Sequence, residues 1–128
     1  MEQNTHLSID PRLVGTVTKL GPGQSQVTLT ATAEMAADDR GLVHGGFTFG
    51  LADYAAMVAV NDPHVVLGAA ATKFLAPVTV GQEMTARAGV VSEDGKKRVV
   101  EVSVSVAGQP VFQGSFTTFV LPRHVLDG

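Results

Sequence analysis

The segment that most restricts how this chain can fold runs from Phe47 to Asn61, where Ala, Leu, Met and Phe replace the β-branched residues that dominate on either side. It contains no proline, and it is bounded by glycines before it and by Asn61-Asp62-Pro63 after it. That pattern predicts one helix of about four turns. The segment is apolar nearly all round, and a helix without a wet face has to be enclosed by other structure. Small residues at Gly50, Ala52, Ala55, Ala56 and Ala59 let that structure come close. The material to enclose it is strand-like. Val14 to Leu20 and Gln26 to Thr32 are β-branched runs separated by Gly21-Pro22-Gly23. Val65 to Leu75, Glu83 to Ser92, Arg98 to Val106 and Val111 to Leu121 follow, divided by turn signals at Pro77 to Gly81, Glu93-Asp94-Gly95 and Ala107 to Pro110. In the fifth run Val100, Val102, Val104 and Val106 alternate with Glu101, Ser103 and Ser105, so one side is dry and the other wet. Six strands and one apolar helix predict an α+β class, an antiparallel sheet wrapped around a central helix.

A length of 128 residues suits one domain, expected to run from 1 to 128. Residues 1–13 have no sustained period and read as a loose or docked N-terminal arm, with Asp10-Pro11 disfavouring helix before the proline. The formal net charge of −3 offers no basic footprint for nucleic acid. There is no cysteine, which excludes disulfides, thiolate nucleophiles and cysteine-ligated metals. The longest apolar stretch, Phe47 to Val60, is interrupted by Asp53 and is too short to span a bilayer. The N-terminal residues show neither a basic nor an apolar leader segment. The expectation is a cytoplasmic protein with neither a membrane nor a nucleic-acid partner.

The chemistry concentrates between Gly41 and Val60. His44-Gly45-Gly46 opens the helix, and the first N–H groups of a helix have no partner within it. Glycine there lets a ligand approach the backbone, and the helix dipole favours an oxygen gaining negative charge. Gly46 N–H is the candidate donor, although two glycines before a helix also serve as an ordinary turn. Asp53 stands in mid-helix among Phe49, Leu51, Ala52, Ala55, Ala56 and Met57, against both helix propensity and polarity. It either pairs with a cation such as Lys73 or Arg87, lies on a wet stripe, or carries function. Seven residues separate Gly46 from Asp53, about 10 Å along a helix axis. The backward lean of the Asp53 side chain recovers only about 2 to 3 Å. The pair therefore reads as acting across a dimer, Gly46 of one chain facing Asp53 of the other.

The His-Gly-Gly turn followed by Leu51-Ala52-Asp53 within one helix, and the segment Thr72-Lys73-Phe74-Leu75-Ala76-Pro77 after it, resemble the hotdog-fold thioesterases of the phenylacetate-pathway type. The similarity runs from about Thr16 to Leu121. The resemblance implies a homodimer or homotetramer that hydrolyses acyl-CoA thioesters. It places the catalytic carboxylate on Asp53, the oxyanion donor on Gly46 and a turn-shaping role on His44, with Gly45 and Thr72 assigned to substrate contact. It requires no metal or other cofactor, since CoA enters as part of the substrate. Where many relatives have an asparagine before the glycines, this chain reads Asp38-Asp39-Arg40. Where some have a hydroxyl on the strand after the helix, Gly68-Ala69-Ala70-Ala71 offers none before Thr72. Lys96-Lys97-Arg98 reads either as a solvated hairpin turn or as a contact for CoA phosphates. The C-terminal half also resembles malonyl-CoA-sensing repressors, whose hotdog domain binds acyl-CoA without hydrolysing it, so the alternative is an acyl-CoA-binding sensor or regulatory module. His6, His64 and His124 show no metal-ligand spacing, and there is no G-x-S-x-G elbow.

Overall fold

The apolar segment becomes the long helix and the β-branched runs become the sheet that carries it, in a computed structural model that describes residues 1–128. The chain begins with a single helical turn, α1 (Pro11–Val14), and continues through strands β1 (Thr16–Gly21) and β2 (Gln24–Thr30) into the long helix α2 (Gly45–Val60). Strands β3 (Val65–Phe74), β4 (Glu83–Asp94), β5 (Lys97–Val106) and β6 (Gln109–Val120) complete it. The six strands form one sheet in the order β1-β2-β4-β5-β6-β3, every pair antiparallel. Because β3 pairs only with β6, its other side is a free edge, and Gly68 to Ala71 on it are exposed.

Alternation decides which face meets the helix. The cross-strand row Val27, Ala86, Val104, Phe112 is fully buried beneath α2. Helix α2 packs against β4, and Ala86 and Ala88 on the strand and Ala52, Ala55, Ala56 and Ala59 on the helix are all buried. Small side chains on both sides let the helix settle closely, the condition for a dry core. Ser25 on β2 is buried in this contact, its hydroxyl donating to Ala55 O at 2.7 Å. Val100, Val102 and Val104 point inward as their alternation predicts, while Glu101 and Ser103 face outward and are exposed.

Local chemistry moves some boundaries. The long helix starts two residues before Phe47, because Gly45 and Gly46 take helical angles and need no positive φ. It ends at Val60, where Asn61 turns left-handed at φ 57° and its N–H donates to Met57 O at 2.9 Å. The first strand begins at Thr16 rather than Val14, since Asp10 caps a helical turn that Pro11 initiates, and Gly15 leaves it at φ 101°. The polar loop before the long helix contains a short 3-10 turn, Ala33–Met35, whose Met35 is buried.

The N-terminal arm is docked. Asn61 works as a clamp, its Oδ1 accepting from Asn4 N–H at 2.7 Å and its Nδ2 donating to Glu2 O at 2.8 Å. Gln3 donates to the Tyr54 hydroxyl at 3.0 Å, and the His6 ring lies 6.2 Å from that of Tyr54. Burial lowers the pKa of His6, favouring its neutral form. No helix is long and apolar enough to cross a membrane.

Candidate active site at the start of the long helix

The turn His44-Gly45-Gly46 is held from both sides. His44 N–H donates to Met35 O at 2.9 Å, and Val43 N–H donates to Val78 O at 2.8 Å. The loop before it is tied by Asp38, whose carboxylate accepts from Arg40 N–H and Leu42 N–H at 2.9 and 3.1 Å. His44 is the N-cap, and its carbonyl accepts from Phe47 N–H at 3.0 Å. Gly45 N–H and Gly46 N–H find no acceptor in the chain, as the opening of a helix leaves them. The His44 imidazole packs edge-on against Phe47 and lies 3.1 Å from where a Cβ on Gly46 would stand. A glycine at 46 therefore leaves room for that ring as well as a bare backbone donor.

Gly46, Gly50 and Asp53 recur at spacings of four and three and share one stripe of α2. Gly46 is exposed, the other two are half-buried, and a Cβ on Gly50 would meet nothing within 4 Å. The open stripe thus leads from the free N–H to the carboxylate. Asp53 Oδ1 is buried without a hydrogen-bond partner. Burial pushes its carboxyl up from the ordinary 3.8 to about 6. The sheet explains why no cation answers it. Lys73 and Arg87 are exposed on the outward face, with Arg87 reaching Ser105 at 3.4 Å. The pairing open to Asp53 in the sequence is therefore not made within the chain.

Thr72 lies opposite Gly114, in the inward-facing row that also contains Val102, so its half-buried side chain is on the helix side of the sheet. Lys96 lies in the β4–β5 turn and Lys97 and Arg98 open β5, next to the end of β6 and the start of β3. That is the end of the sheet where the helix finishes, whereas Phe74, at the other end of β3, touches Gly45. Within one chain the basic turn and the glycine turn are thus separated by roughly the helix length, about 24 Å at 1.5 Å per residue. Arg98 is partly committed locally, donating to Gly95 O and facing Glu93 at 3.5 Å.

Sequence reasoning missed one wall of this region. Phe74, Leu75, Ala76, Pro77 and Val78 close with Val43, Gly45, Thr48 and Val111 around a cavity of about 330 Å³ beside the helix start. The signal was present, an aromatic two residues past Thr72 and so on the same inward face. What it faces depends on the pairing of β3 with β6.

Residues 34–119 match the model of the family described as the acyl-CoA thioesterase N-terminal domain. An uncharacterized protein from Pyrococcus horikoshii is 49% identical, with a TM-score of 0.98 covering 99% of this chain and 98% of that one. A variant of the phenylacetic acid degradation protein PaaI from Thermus thermophilus is 30% identical, with a TM-score of 0.78 over 85% of this chain and 95% of the other. Among curated relatives, a protein named methylthioribose-1-phosphate isomerase from Aquifex aeolicus is 47% identical over 94% of this chain, which spans only 26% of it. The transcription factor FapR of Caldanaerobacter subterraneus is 28% identical over 89% of this chain, which spans 58% of that protein. The family match, the six-stranded antiparallel sheet carrying one long helix, and the glycine turn leading to Asp53 agree, and the chain belongs to the hotdog-fold acyl-CoA thioesterase family.

Proposed function

We propose that this protein hydrolyses acyl-CoA thioesters to the free acid and CoA, with Asp53 as the catalytic carboxylate and Gly46 N–H as the oxyanion donor. The observation that carries the reading is Asp53 itself, an unpaired carboxylate in mid-helix on the same open stripe as a free backbone donor. The thioester carbonyl lies against Gly46 N–H at about 2.9 Å, where the helix dipole stabilises charge developing on oxygen. Asp53, ionised, draws the proton from a water or attacks the carbonyl directly. His44 keeps the turn in shape.

The two groups belong to different subunits of a homodimer in this reading. A separation of about 10 Å along the axis is too long for one carbonyl to meet both. The free edge of β3, ten residues long and exposed from Gly68 to Ala71, supports such pairing, because an uncovered edge is a template for another strand. No metal or other cofactor is required. Thr72, on the helix side of the free edge, and the basic turn Lys96-Lys97-Arg98 are assigned to substrate contact, the turn to the CoA phosphates. Both subunits contribute in this arrangement, so the turn need not serve its own chain's glycines.

A second reading, a non-catalytic acyl-CoA-binding module, has its own support. Two relatives of which this chain spans only part, one named as a transcription factor and one as methylthioribose-1-phosphate isomerase, carry the matching segment within longer chains. A panel of acyl-CoA esters, assayed for released CoA thiol, separates the two. Turnover that is lost in Asp53→Asn supports hydrolysis. Saturable binding with no released CoA, unchanged in that variant, sinks the enzymatic reading in favour of the module.

A further inference from the structure

The cavity beside the helix start has a buried floor and an exposed wall. Val43, Thr48, Val78 and Val111 line its inside and are buried. Its outer wall is Phe74 and Leu75, 56% and 46% exposed, followed by Ala76 and Pro77. Phe74 is the piece that reaches the reacting end. Its ring stands 3.1 Å from the position a Cβ on Gly45 would take, and it packs edge-on against Phe112 at 5.1 Å. The ring therefore rests on bare backbone one residue before the Gly46 donor. Phe112 is fully buried, whereas Phe74 is more than half exposed in the single chain. Gly45 lines the cavity and precedes the Gly46 donor, so a group attached to a carbonyl held at Gly46 N–H lies near this ring.

We infer that this cavity receives the acyl chain and that Phe74 sets its size limit, making the preferred substrates short, uncharged acyl thioesters. The inference rests on the thioesterase reading and adds the class of acyl group to it. A volume of about 330 Å³ lies at the small end of ligand sites, which suits a chain of a few carbons. None of the lining residues is charged, and Thr48 is the sole one with a polar side chain. Its hydroxyl is directed to Met84 sulfur at 3.6 Å. A second carboxylate on the acyl group would lose its water there and gain no cation in return.

The test is an acyl-length series from acetyl- to dodecanoyl-CoA, with succinyl-CoA as the charged counterpart of butyryl-CoA. It is run on wild type, Phe74→Ala and Phe74→Trp, all checked for native fold by circular dichroism. Phe74 ends β3, whose edge the proposed dimer uses, so each variant is also checked for dimer size by light scattering, and the buried floor is left intact. Wild type is expected to prefer short chains and to process succinyl-CoA at least about 100-fold less well than butyryl-CoA. Phe74→Ala should move the optimum to longer chains, by about fourfold in kcat/KM for each methylene newly buried. Phe74→Trp should move it the other way. One length profile shared by wild type and both variants, with KM raised equally for every ester in the variants, would show that the CoA arm rather than the acyl chain lies against Phe74 and overturn the inference. Equal turnover of succinyl- and butyryl-CoA would overturn its charge component. If wild type releases no CoA from any ester, the thioesterase reading fails instead. In that case the same ester series, read as binding affinity, still tests the wall through the length preference of the two variants.

Discussion

Asp53 holds two opposing demands in one side chain. Burial favours the protonated acid and pushes the carboxyl up to about 6, while the proposed chemistry needs it ionised. The rate profile should show this. In wild type kcat/KM is expected to rise with pH to a midpoint near 6 and then level, and Asp53→Asn should lower kcat by at least about 100-fold at pH 8. A flat profile between pH 5 and 8 would argue against Asp53 as the group that ionises. The same residue makes a prediction about stability with a definite sign. Its folded pKa lies above the ordinary 3.8, so the folded state holds the proton more tightly and loses stability as pH rises from about 4 through 6. Asn carries no such penalty. The gain in Tm of Asp53→Asn over wild type should therefore be small at pH 4 and largest at pH 8. A gain that instead shrinks as pH rises would mean that the carboxylate has a cationic partner in solution.

At the scale of elements, the helix is useful because of how its two ends are finished. Its start leaves two N–H groups open, and its end is closed by Asn61, which caps the backbone and clamps the arm. Two substitutions separate those roles. Asn61→Gly keeps the left-handed conformation and loses both side-chain hydrogen bonds, so amide exchange should speed up at residues 2–6 while the last turn of the helix stays protected. Asn61→Ala loses the bonds and also strains the cap, and is expected to cost about 1 kcal/mol more in unfolding free energy. Equal exchange at residues 2–6 in Asn61→Gly and wild type would mean that Gln3 and the contact of His6 with Tyr54 hold the arm without the clamp.

For the whole molecule, the decisive question is whether a site belongs to one chain or two. Mixing two inactive variants answers it. Asp53→Asn removes the carboxylate, and Gly46→Pro removes the N–H at a helix start, where proline is tolerated. Any side chain at 46 also presses on the His44 ring, so Gly46→Ala, which keeps the N–H, serves as the steric control. Refolded together in equal amounts, the inactive pair should form mixed dimers in about half of the population, each with one intact site. Activity near a quarter of wild type is then expected if sites are independent. Confirmed mixed dimers with no activity above the separate variants would place both groups of a working site in one chain.

What depends on neighbours along the chain is legible before the chain is folded. Residue type and proline-free spacing were enough for the helix around Asp53, because helical packing repeats every few residues and is legible locally. Alternation placed Val100, Val102 and Val104 inward, and the glycine turn with Asp53 was readable as a motif. The short helix at Pro11 was missed although Asp10 and Pro11 signal one, since the same pair also reads as a break. What depends on register needs the assembled sheet. Lys73 and Arg87 look like partners for Asp53 in a list of charges, yet strand alternation turns both to the far side of the sheet. Phe74 reaches Gly45 because β3 runs alongside β6 to the residue opposite Phe112. Lys96 to Arg98 fall at the helix's far end for the same reason, since strand pairing fixes position along the sheet and a shift of one residue reverses every face.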